Sequence, residues 1–386
     1  MMKLHFFQFR SALGALGLAV VVLIALARAA CGQTIDLTPY LSEYTPNGSV
    51  KQFTGFDGTS NTNFVRTVTQ TNSAGLLLWQ VVDTYAITDV EVSYFGIQGG
   101  YLMAYGTSDS ADTYFSQAGG ASLPLQMVIG QTYVLPTAVY DGTDATGAYT
   151  LTETNSVRAI GFESVTVPAG TFTNALRIEV TSVDWYDYGV PPIYGPVNHT
   201  ETNWLVAGIG EVKFGFQDTY PDQPSDTWVE RLTQYLVVTN QPHSVITGPG
   251  LSATLAVSVA TNLAVAHQWM KNGAALPNST NATLTINSMQ PGDVATYAVQ
   301  TTSPLGSTTT TNATLSTFAI SSGATPSIVI NAPTGTVFGF DYLAACAATN
   351  AWTAWLTNFT VNTSPTNVLD AEAASVPRRY YRAWQR

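Results

Sequence analysis

The sequence has few charged residues and almost no cysteine. Charged residues make up 10% of the 386 positions, and the two cysteines are Cys31 and Cys346. We expect no intramolecular disulfide, because Cys31 lies where a leader would be removed or lipid-modified. Stability must then come from burial of apolar surface, and a mature chain of about 350 residues is long enough for two or three separate cores.

Basic residues are scarcer than acidic ones. The chain has 14 Lys and Arg against 25 Asp and Glu, a net charge of −11. Loss of a leader that holds Lys3, Arg10 and Arg28 would take the net charge to about −14. Such a surface repels nucleic-acid phosphates and anionic lipids, so we expect no nucleic-acid partner. A small C-terminal basic cluster does not reverse this expectation. It comprises Arg378, Arg379, Arg382 and Arg386.

The first residues have the order of a secretory signal. Lys3 and Arg10 precede an apolar stretch of 16 residues, 12–27, and small residues follow around Ala29. This order predicts a signal peptide over residues 1–30. The stretch is shorter than the roughly 20 residues of a transmembrane helix, and no later stretch approaches that length. We therefore expect export, followed by secretion or retention at the cell surface.

Cys31 leaves lipid anchoring open as an alternative. A Cys after Ala29 and Ala30 is the residue that a bacterial lipoprotein would modify. Arg28 argues against it, because the lipoprotein pattern usually has an aliphatic residue three positions before the Cys. We favour plain cleavage near Ala29 or Gly32.

Apolar and polar residues alternate through most of the chain, as at 176–180 and 166–172. Period-two alternation broken by Gly, Asn, Asp and Pro is typical of antiparallel β-structure, and no later stretch has a helical stripe of a dozen residues. We predict an all-β protein. Breaks in the pattern predict three regions, at 34–238, 241–316 and 317–386.

The first region contains two motifs, V-x-V-P-A-G-T-F at 165–172 and W-x-x-x-G-x-G-x-V-K at 204–213. They resemble motifs of secreted bacterial proteins and lipoproteins of unassigned function. The resemblance implies a curved antiparallel sheet or half-barrel, like those of lipoprotein carriers, although no helix that would plug it is apparent. Independently, Pro168 favours a turn, Gly170 permits a positive φ, and Phe172 restarts a buried face.

The second region resembles an immunoglobulin-like domain. Residues 268–273 and 293–299 have the spacing of its C and F strands. The signature positions are Trp269, Asp293, Tyr297 and Val299. The resemblance implies a β-sandwich with a buried Trp and a corner Tyr that bonds to the preceding loop.

No disulfide can join the two sheets of this domain. Val299 stands where the family has its second Cys, and the strand that would carry the first has none. We expect apolar packing to replace the bridge. The inward residues of that strand would be Leu255, Val257 and Val259.

The third region resembles a small terminal β-module of bacterial secreted proteins. Asp370 and the run Tyr380, Tyr381 and Arg382 fit the ending of that module. Its role is not established, so the resemblance implies a boundary and export, without a chemical activity.

Recognisable catalytic and metal-binding patterns are missing from the sequence. His199, His243 and His267 are too far apart to form a zinc-ligand pair, and none is near a Cys. A Gly-x-Ser-x-Gly elbow and a phosphate-binding loop are also missing. We predict no catalytic residue, no metal and no cofactor.

Two sets of carboxylates leave alternatives open. Two of the strand glutamates facing each other across a cleft could act as acid and base, although outward-facing side chains are favoured. They are Glu163, Glu179, Glu201 and Glu211. Two aspartate sets could hold Ca²⁺, although tight turns account for them equally well. They are Asp141 with Asp144, and Asp218 with Asp222 and Asp226.

The segment 184–194 is rich in aromatic residues and is predicted as a loop by its Gly and two Pro. Aromatic faces and carboxylates are typical of sugar-binding surfaces. The favoured alternative is that the rings fold inward and cap the end of the curved sheet. The candidate ligand-binding residues are Trp185, Tyr186, Asp187, Tyr188 and Tyr194.

These observations favour a secreted or cell-surface bacterial protein without enzymatic activity, which acts by adhesion or by binding a ligand. A polysaccharide or another surface protein is the expected partner. One alternative is a polysaccharide-active enzyme with its site in the first region. Another is an outer-membrane lipoprotein that carries an apolar ligand.

Overall fold

The computed structural model describes residues 32–41, 49–73, 76–86, 89–109, 112–191, 193–321, 327–343, 352–371 and 380–385. Several predictions fall outside these residues. They concern the signal peptide at 1–30, Cys31, Cys346, Arg378, Arg379 and Arg386.

The secondary structure of the described residues is β-strand throughout, apart from 3₁₀ turns such as Thr38–Tyr40 and Pro291–Asp293, which confirms the all-β class. In chain order the strands are β1 (Thr34–Asp36), β2 (Ser49–Phe56), β3 (Asn61–Ser73), β4 (Leu76–Ala86), β5 (Asp89–Gln98), β6 (Tyr101–Ser108), β7 (Thr113–Pro124), β8 (Gln126–Val128), β9 (Thr132–Val134), β10 (Ala138–Thr143), β11 (Ala148–Val167), β12 (Gly170–Asp187), β13 (Tyr194–Val206), β14 (Gly210–Thr219), β15 (Asp226–Asn240), β16 (Val245–Thr247), β17 (Ala253–Ala256), β18 (Ser258–Thr261), β19 (Ala266–Lys271), β20 (Ala274–Ala275), β21 (Thr283–Ile286), β22 (Ala295–Ser303), β23 (Gly306–Thr309), β24 (Ala313–Ser321), β25 (Ser327–Asn331), β26 (Val337–Leu343), β27 (Thr353–Thr360), β28 (Thr366–Leu369) and β29 (Tyr380–Gln385).

The chain divides into two compact units. The first unit comprises Met1–Thr239, Val259–Val265 and Thr302–Thr308, and the second comprises Asn240–Ser258, Ala266–Thr301 and Thr309–Arg386.

In the first unit one antiparallel sheet closes on itself. Its strands follow the order β10, β7, β6, β5, β4, β3, β2, β15, β14, β13, β12, β11. Strand β10 also pairs with β11, where Tyr140 lies opposite Leu151. The curved sheet expected from the sequence is therefore present, and its curvature continues to closure.

The motif at 165–172 forms the tight turn between the two longest strands. β11 ends at Val167 and β12 begins at Gly170, with these two residues paired. Gly170 has a φ of 141°, a conformation that only Gly adopts readily. Phe172 then packs, partly buried, against one of the cores of the unit.

The inward face of β12 changes character along the strand. On β12 the inward residues Leu176, Ile178 and Val180 belong to the main apolar core. Further along the same face lie Asp184 and then Tyr186, and both are almost fully buried. An apolar core, a polar layer and an aromatic layer therefore succeed one another inside the sheet.

The N-terminal segment completes the apolar core. Leu37, Tyr40 and Leu41 pack among the inward residues of the closed sheet. β1 pairs with β8, with Ile35 opposite Met127. This segment occupies interior volume that a plugging helix would otherwise fill, and the sequence shows no such helix.

The second unit contains an immunoglobulin-like sandwich. Trp269 on β19 is fully buried, and its indole N–H donates to the carbonyl of Asn281 at 2.8 Å. The Tyr297 hydroxyl donates to the carbonyl of Asp293 at 2.8 Å. Val299 is also fully buried.

Apolar residues pack inside this sandwich without a disulfide. Leu255 and Val257 are 1% and 4% exposed. Val259 is only partly buried and lies on β18, the following strand. β17 pairs with β21, with Leu255 opposite Leu284.

Strand β24 continues from the sandwich into the C-terminal residues. Its first part pairs with β22, with Leu315 opposite Ala295, and its second part pairs with β25, with Phe318 opposite Ile330. The predicted boundary at 316–317 therefore falls inside this strand. β26 pairs with β27 and β29 around Phe338 and Phe340, both fully buried.

Candidate functional site

One end of the closed sheet is filled by tyrosines. It is the end at which β10 turns into β11, β12 connects to β13, and β14 connects to β15. The tyrosines occupy inward positions at the strand ends or lie in the adjoining loops, and they pack with Ala138, Leu151 and Val197. We call them the tyrosine cluster, which consists of Tyr114, Tyr140, Tyr149, Tyr186, Tyr188, Tyr194 and Tyr220.

The rings pack edge-on and tilted against one another. Tyr149 lies 5.5 Å from both Tyr186 and Tyr188, and Tyr114 meets Tyr140 edge-to-face at 5.1 Å, measured between ring centroids. Such geometries suit the charge distribution of aromatic rings. The cluster is therefore a packed aromatic wall.

Two glycines make room for these rings. A Cβ on Gly142 would overlap the ring of Tyr149, and a Cβ on Gly120 would overlap the hydroxyl of Tyr140. Both rings lie directly over the glycine of a neighbouring strand, where any other residue would displace them. The sequence places Gly at these positions for close approach.

Carboxylates at the rim hold several of the hydroxyls. Tyr149 donates to Asp112 at 2.8 Å, and Tyr188 donates to Asp144 at 2.8 Å. Tyr194 donates to Asp222 at 3.1 Å. Burial raises the pKa of Asp112 to about 6, although the hydrogen bond from Tyr149 opposes the rise.

A layer of polar side chains lies below the tyrosines on β11, β12, β13 and β14. Its residues occupy inward-facing positions of these strands, where the alternation of apolar and polar residues otherwise places apolar side chains. The strand registers set Glu153 opposite Asp184, and His199 opposite Asp218. We call this layer the polar patch, which consists of Glu153, Asn155, Asp184, His199, Glu201 and Asp218.

His199 is held between two carboxylates. Its Nε2 lies 2.9 Å from Glu201 Oε1, and its Nδ1 contacts Asp218 Oδ1. Burial lowers the pKa of His199, but the hydrogen bonds to Asp218 and Glu201 raise it by more than burial lowers it. The pKa of His199 therefore lies well above its ordinary value. The imidazole also stacks on Phe216 at 5.4 Å. The direction of this shift favours the imidazolium form of His199.

The two other carboxylates of the patch have raised pKa values. Burial and the nearby charge of Glu153 raise the pKa of Asp184 well above its ordinary value. Burial also raises the pKa of Glu153, although Asn155 and His199 oppose the rise. Burial beside a like charge raises a carboxyl pKa in this way.

Three acceptor oxygens of the patch have no hydrogen-bond partner among the described residues. They are Oδ1 of Asp184, Oε2 of Glu201 and Oδ1 of Asn155, and the buried hydroxyl of Ser182 beside Asp184 also has none. The three residues are 4%, 0% and 6% exposed. Buried acceptors are normally satisfied, so three in one layer indicate a place where something else supplies donors. Glu153, on the same inner face, keeps partial exposure.

A second cluster of charged side chains lies inside the first unit, and its members pair with one another. Arg66 donates to both oxygens of Asp83 at 2.7 and 2.8 Å, and also to Glu211 at 2.9 Å and Glu230 at 3.1 Å. The Lys51 ammonium donates to the carbonyl of Glu211 at 3.0 Å. This network links β2, β3, β4, β14 and β15, so its role is structural.

The structure separates the five predicted ligand-binding residues. Tyr186, Tyr188 and Tyr194 belong to the tyrosine cluster. Trp185 and Asp187 are exposed on the opposite face of β12. The prediction of a loop over 184–194 is wrong at both ends, since β12 runs to Asp187 and β13 begins at Tyr194, because cross-strand pairing outweighs the local Gly and Pro signals.

The four strand glutamates considered as an acid and a base also lie on opposite faces of the sheet. Glu163 and Glu179 face outward and contact Trp204 and Arg177. Glu201 and Glu211 are fully buried, so the favoured outward orientation is wrong for them.

Four of the five aspartates considered for calcium, all but Asp141, have a protein partner shown in the structure. Asp144 accepts the backbone N–H of Thr146 and Gly147, as expected of a turn residue. Asp218 binds His199, while Asp222 binds Tyr194. Within the described part of the chain, no group of three or more His, Cys, Asp and Glu has the geometry to hold a metal ion.

Sequence reasoning missed His199 as part of a site. The available signal was the run of inward positions on β13, in which His199 and Glu201 lie between the buried Val197 and Leu205. Two ionisable residues in the apolar phase of a strand mark a polar interior. Their partner Asp218 lies on another strand, so spacing alone cannot identify it.

Comparisons with known proteins give only distant similarities. No protein-family model and no curated protein matches the chain. Among solved structures, the tandem immunoglobulin repeats of Dlar are 12% identical, with 48% of this chain and 89% of that chain covered and a TM-score of 0.21. A structure described as "a putative lipoprotein from Parabacteroides distasonis" is 11% identical, with 49% and 94% covered and a TM-score of 0.27. Sidekick-1 immunoglobulin domains 1–4 are 11% identical, with 69% and 90% covered and a TM-score of 0.19. None of the helices in the described residues has the length and hydropathy to cross a membrane.

Proposed function

We propose that this is a secreted or cell-surface binding protein without enzymatic activity, and that its first unit holds the ligand at the polar patch beneath the tyrosine cluster. One observation carries the proposal: three acceptor oxygens, of Asn155, Asp184 and Glu201, are buried in one layer without a donor. The export signal that the sequence predicts over residues 1–30 supports the location.

The unsatisfied acceptors imply an energetic cost that a ligand would remove. Each buried polar group without a partner costs about 1–3 kcal/mol. A folded domain tolerates several such groups together when a bound molecule completes their hydrogen bonds. The partial exposure of Glu153 shows that the layer is not wholly closed off from solvent.

Binding fits the arrangement of His199 better than acid–base catalysis does. Both ring nitrogens are hydrogen-bonded, to Glu201 and to Asp218. A general base needs a free lone pair directed at the substrate. His199 instead fixes the positions of the two carboxylates.

An apolar ligand does not fit this interior. The main apolar core is filled by side chains of the closed sheet and of the N-terminal segment. The remaining interior layer is charged, and apolar groups would leave its carboxylates without partners.

The test is a thermal-shift screen of the purified full-length protein against small soluble probes, comprising amines, neutral sugars, polyols, carboxylic acids and Ca²⁺. We expect at least one probe to raise the melting temperature of the wild type and to lose that effect in Asp184→Asn. Asp187→Asn is the matched control, because Asp187 is on the same strand but exposed. Stabilisation that Asp184→Asn leaves unchanged, or no stabilisation by any probe, contradicts the proposal.

A second candidate function rests on Glu153 and Asp184, which lie opposite each other with raised pKa values. Glycoside hydrolases use two carboxyl groups, of which one is protonated and acts as the acid while the other is ionised and acts as the base or nucleophile. Release of reducing sugar from a polysaccharide panel, abolished by Glu153→Gln, would favour this candidate over binding alone.

A further inference from the structure

We infer that the polar patch binds a primary alkylammonium group, an inference that rests on the proposed function and names the chemistry of its ligand. The observations that carry it are the sign of the charge in the patch, the hydrogen-bonding character of its free atoms and the aromatic wall above it.

The charge of the patch is negative. Its carboxylates are those of Glu153, Asp184, Glu201 and Asp218, and its one basic group is His199. Arg66 and Lys51 are engaged in the separate network with Asp83, Glu211 and Glu230. A cationic ligand would supply the missing positive charge.

The free atoms of the patch are acceptors. Oδ1 of Asp184, Oε2 of Glu201 and Oδ1 of Asn155 can each receive a hydrogen bond. An ammonium group has three donors and no acceptor, which matches three free acceptors. A sugar hydroxyl donates once and brings lone pairs of its own, for which the hydroxyl of Ser182 is the donor among these unpartnered groups.

The aromatic wall suits the rest of such a ligand. Tyr186 lies two residues from Asp184 on the same face of β12, and Tyr149 packs against it at 5.5 Å. Tyrosine faces attract cations and also cover methylene groups. The loop tyrosines Tyr188 and Tyr194 remain partly exposed, which leaves the aromatic wall open to solvent at this end.

A metal ion fits less well. No group of His, Cys, Asp and Glu in the described residues has ligand geometry, and His199 already uses both ring nitrogens. The pKa values of Glu153 and Asp184 are raised, so this pair holds protons more tightly than exposed carboxyls do. An arriving ammonium would replace those protons, so binding should release protons and strengthen as the pH rises.

The experiment is isothermal titration calorimetry of the full-length protein with matched probes. Cadaverine (1,5-diaminopentane) and 1,5-pentanediol differ only in ammonium against hydroxyl. Tetramethylammonium carries the charge without donors, and CaCl₂ tests a metal. We expect cadaverine to bind, pentanediol and CaCl₂ not to bind, and tetramethylammonium to bind at least about tenfold more weakly.

Variants locate the binding. Asp184→Asn should weaken cadaverine about tenfold or more, and Asp187→Asn should leave it unchanged. Tyr186→Phe keeps the ring and should have little effect, whereas Tyr186→Leu should weaken binding about 5- to 30-fold. Urea unfolding of each variant checks that it is folded. Titrations in buffers of different ionisation enthalpy should show proton release.

The outcomes separate the inference from the proposed function. If pentanediol or a neutral sugar binds in a manner that depends on Asp184 while cadaverine does not, the binding function stands and the ammonium inference is overturned. If calcium binds in its place, the inference is overturned as well. If no probe binds, both fail. Cadaverine binding that survives Asp184→Asn also overturns the inference, because the site is then elsewhere.

Discussion

Glu153 on β11 and Asp184 on β12 lie directly opposite each other on the inner face of the closed sheet. Like charges at opposed positions of an antiparallel pair are destabilising. Burial adds to the cost, and the resulting rise in pKa shows that protons offset part of it. A sheet built for stability alone would place an apolar or oppositely charged pair at these positions, so stability alone does not account for the pair.

Arg66 is the residue of the first unit whose loss should be most damaging. Arg66→Met would leave Asp83, Glu211 and Glu230 buried without their cation. We expect a loss of about 3–5 kcal/mol in the free energy of unfolding, measured by urea titration of the full-length protein.

The matched control for Arg66 is Arg177→Met. Arg177 pairs with Glu179, and both side chains are about one-third exposed. Such a pair should contribute less than about 1 kcal/mol. Equal losses in the two variants would mean that the buried network does not stabilise the closed sheet.

Glu211 should make the stability of the first unit depend on pH. Burial raises its pKa to about 8, although Arg66 opposes the rise. Because the folded pKa exceeds the unfolded value of about 4.3, the contribution is fully present below that unfolded value and is lost as the pH rises through about 8.

Glu211→Gln should remove this dependence, since Gln mimics the protonated carboxyl. We expect the free energies of unfolding of wild type and variant to converge near pH 4. Above that pH the variant should become more stable than the wild type by up to about 1.4 kcal/mol per pH unit. Urea unfolding at several pH values measures the difference. A difference that stays constant with pH would show that Glu211 is ionised in the folded protein.

Gly142→Ala should disturb the tyrosine cluster by overpacking it at Tyr149. The added methyl would overlap the ring of Tyr149, which lies over Gly142. We expect a loss of about 1–3 kcal/mol, the usual cost of overpacking. Gly215→Ala is the control, since its Cβ would meet its nearest neighbours at 3.6 Å, an ordinary contact. Comparable losses would mean that the effect comes from strand glycine in general.

In the second unit, Trp269 and Tyr297 should carry different amounts of stability. Trp269→Ala would empty a fully buried site and should cost about 3–5 kcal/mol. Tyr297→Phe removes only the hydrogen bond to Asp293 and should cost about 1 kcal/mol. Hydrogen exchange of peptides from β19 and β22 would report both losses. A small effect of Trp269→Ala would show that the sandwich does not depend on this core.

The strands and the immunoglobulin-like sandwich were predictable because their determinants are local. Leu176, Ile178 and Val180 alternate with polar residues, and that period predicts which side chains face a core. Trp269 and Tyr297 lie at the spacing of a known sandwich. In both cases a few neighbouring positions along the chain contain the information.

The polar patch was not predictable in the same way. Asp184, Glu201 and Asp218 come from three strands, and the register of the closed sheet brings them into one layer. Outward-facing glutamates are the common case, so Glu179 and Glu201 look alike in the sequence. Closure through β10 and β11 decides which face is interior, and that pairing is not encoded in any short motif.

His199 offers a direct measure of the field inside the patch. Its pKa lies well above the ordinary value because Asp218 and Glu201 outweigh burial, whereas burial lowers the pKa of His267. At about pH 7.5 we expect two-dimensional NMR of the ring nitrogens to show His199 protonated on both nitrogens and His267 neutral. His199→Gln assigns the signal by its loss. Since the folded pKa is raised, the stability that His199 contributes is fully present below about pH 6.5 and is lost as the pH rises through its folded pKa. A neutral His199 at pH 7.5 would mean that burial outweighs the hydrogen bonds to Asp218 and Glu201, and the field inside the patch would then be too weak to attract an ammonium ion.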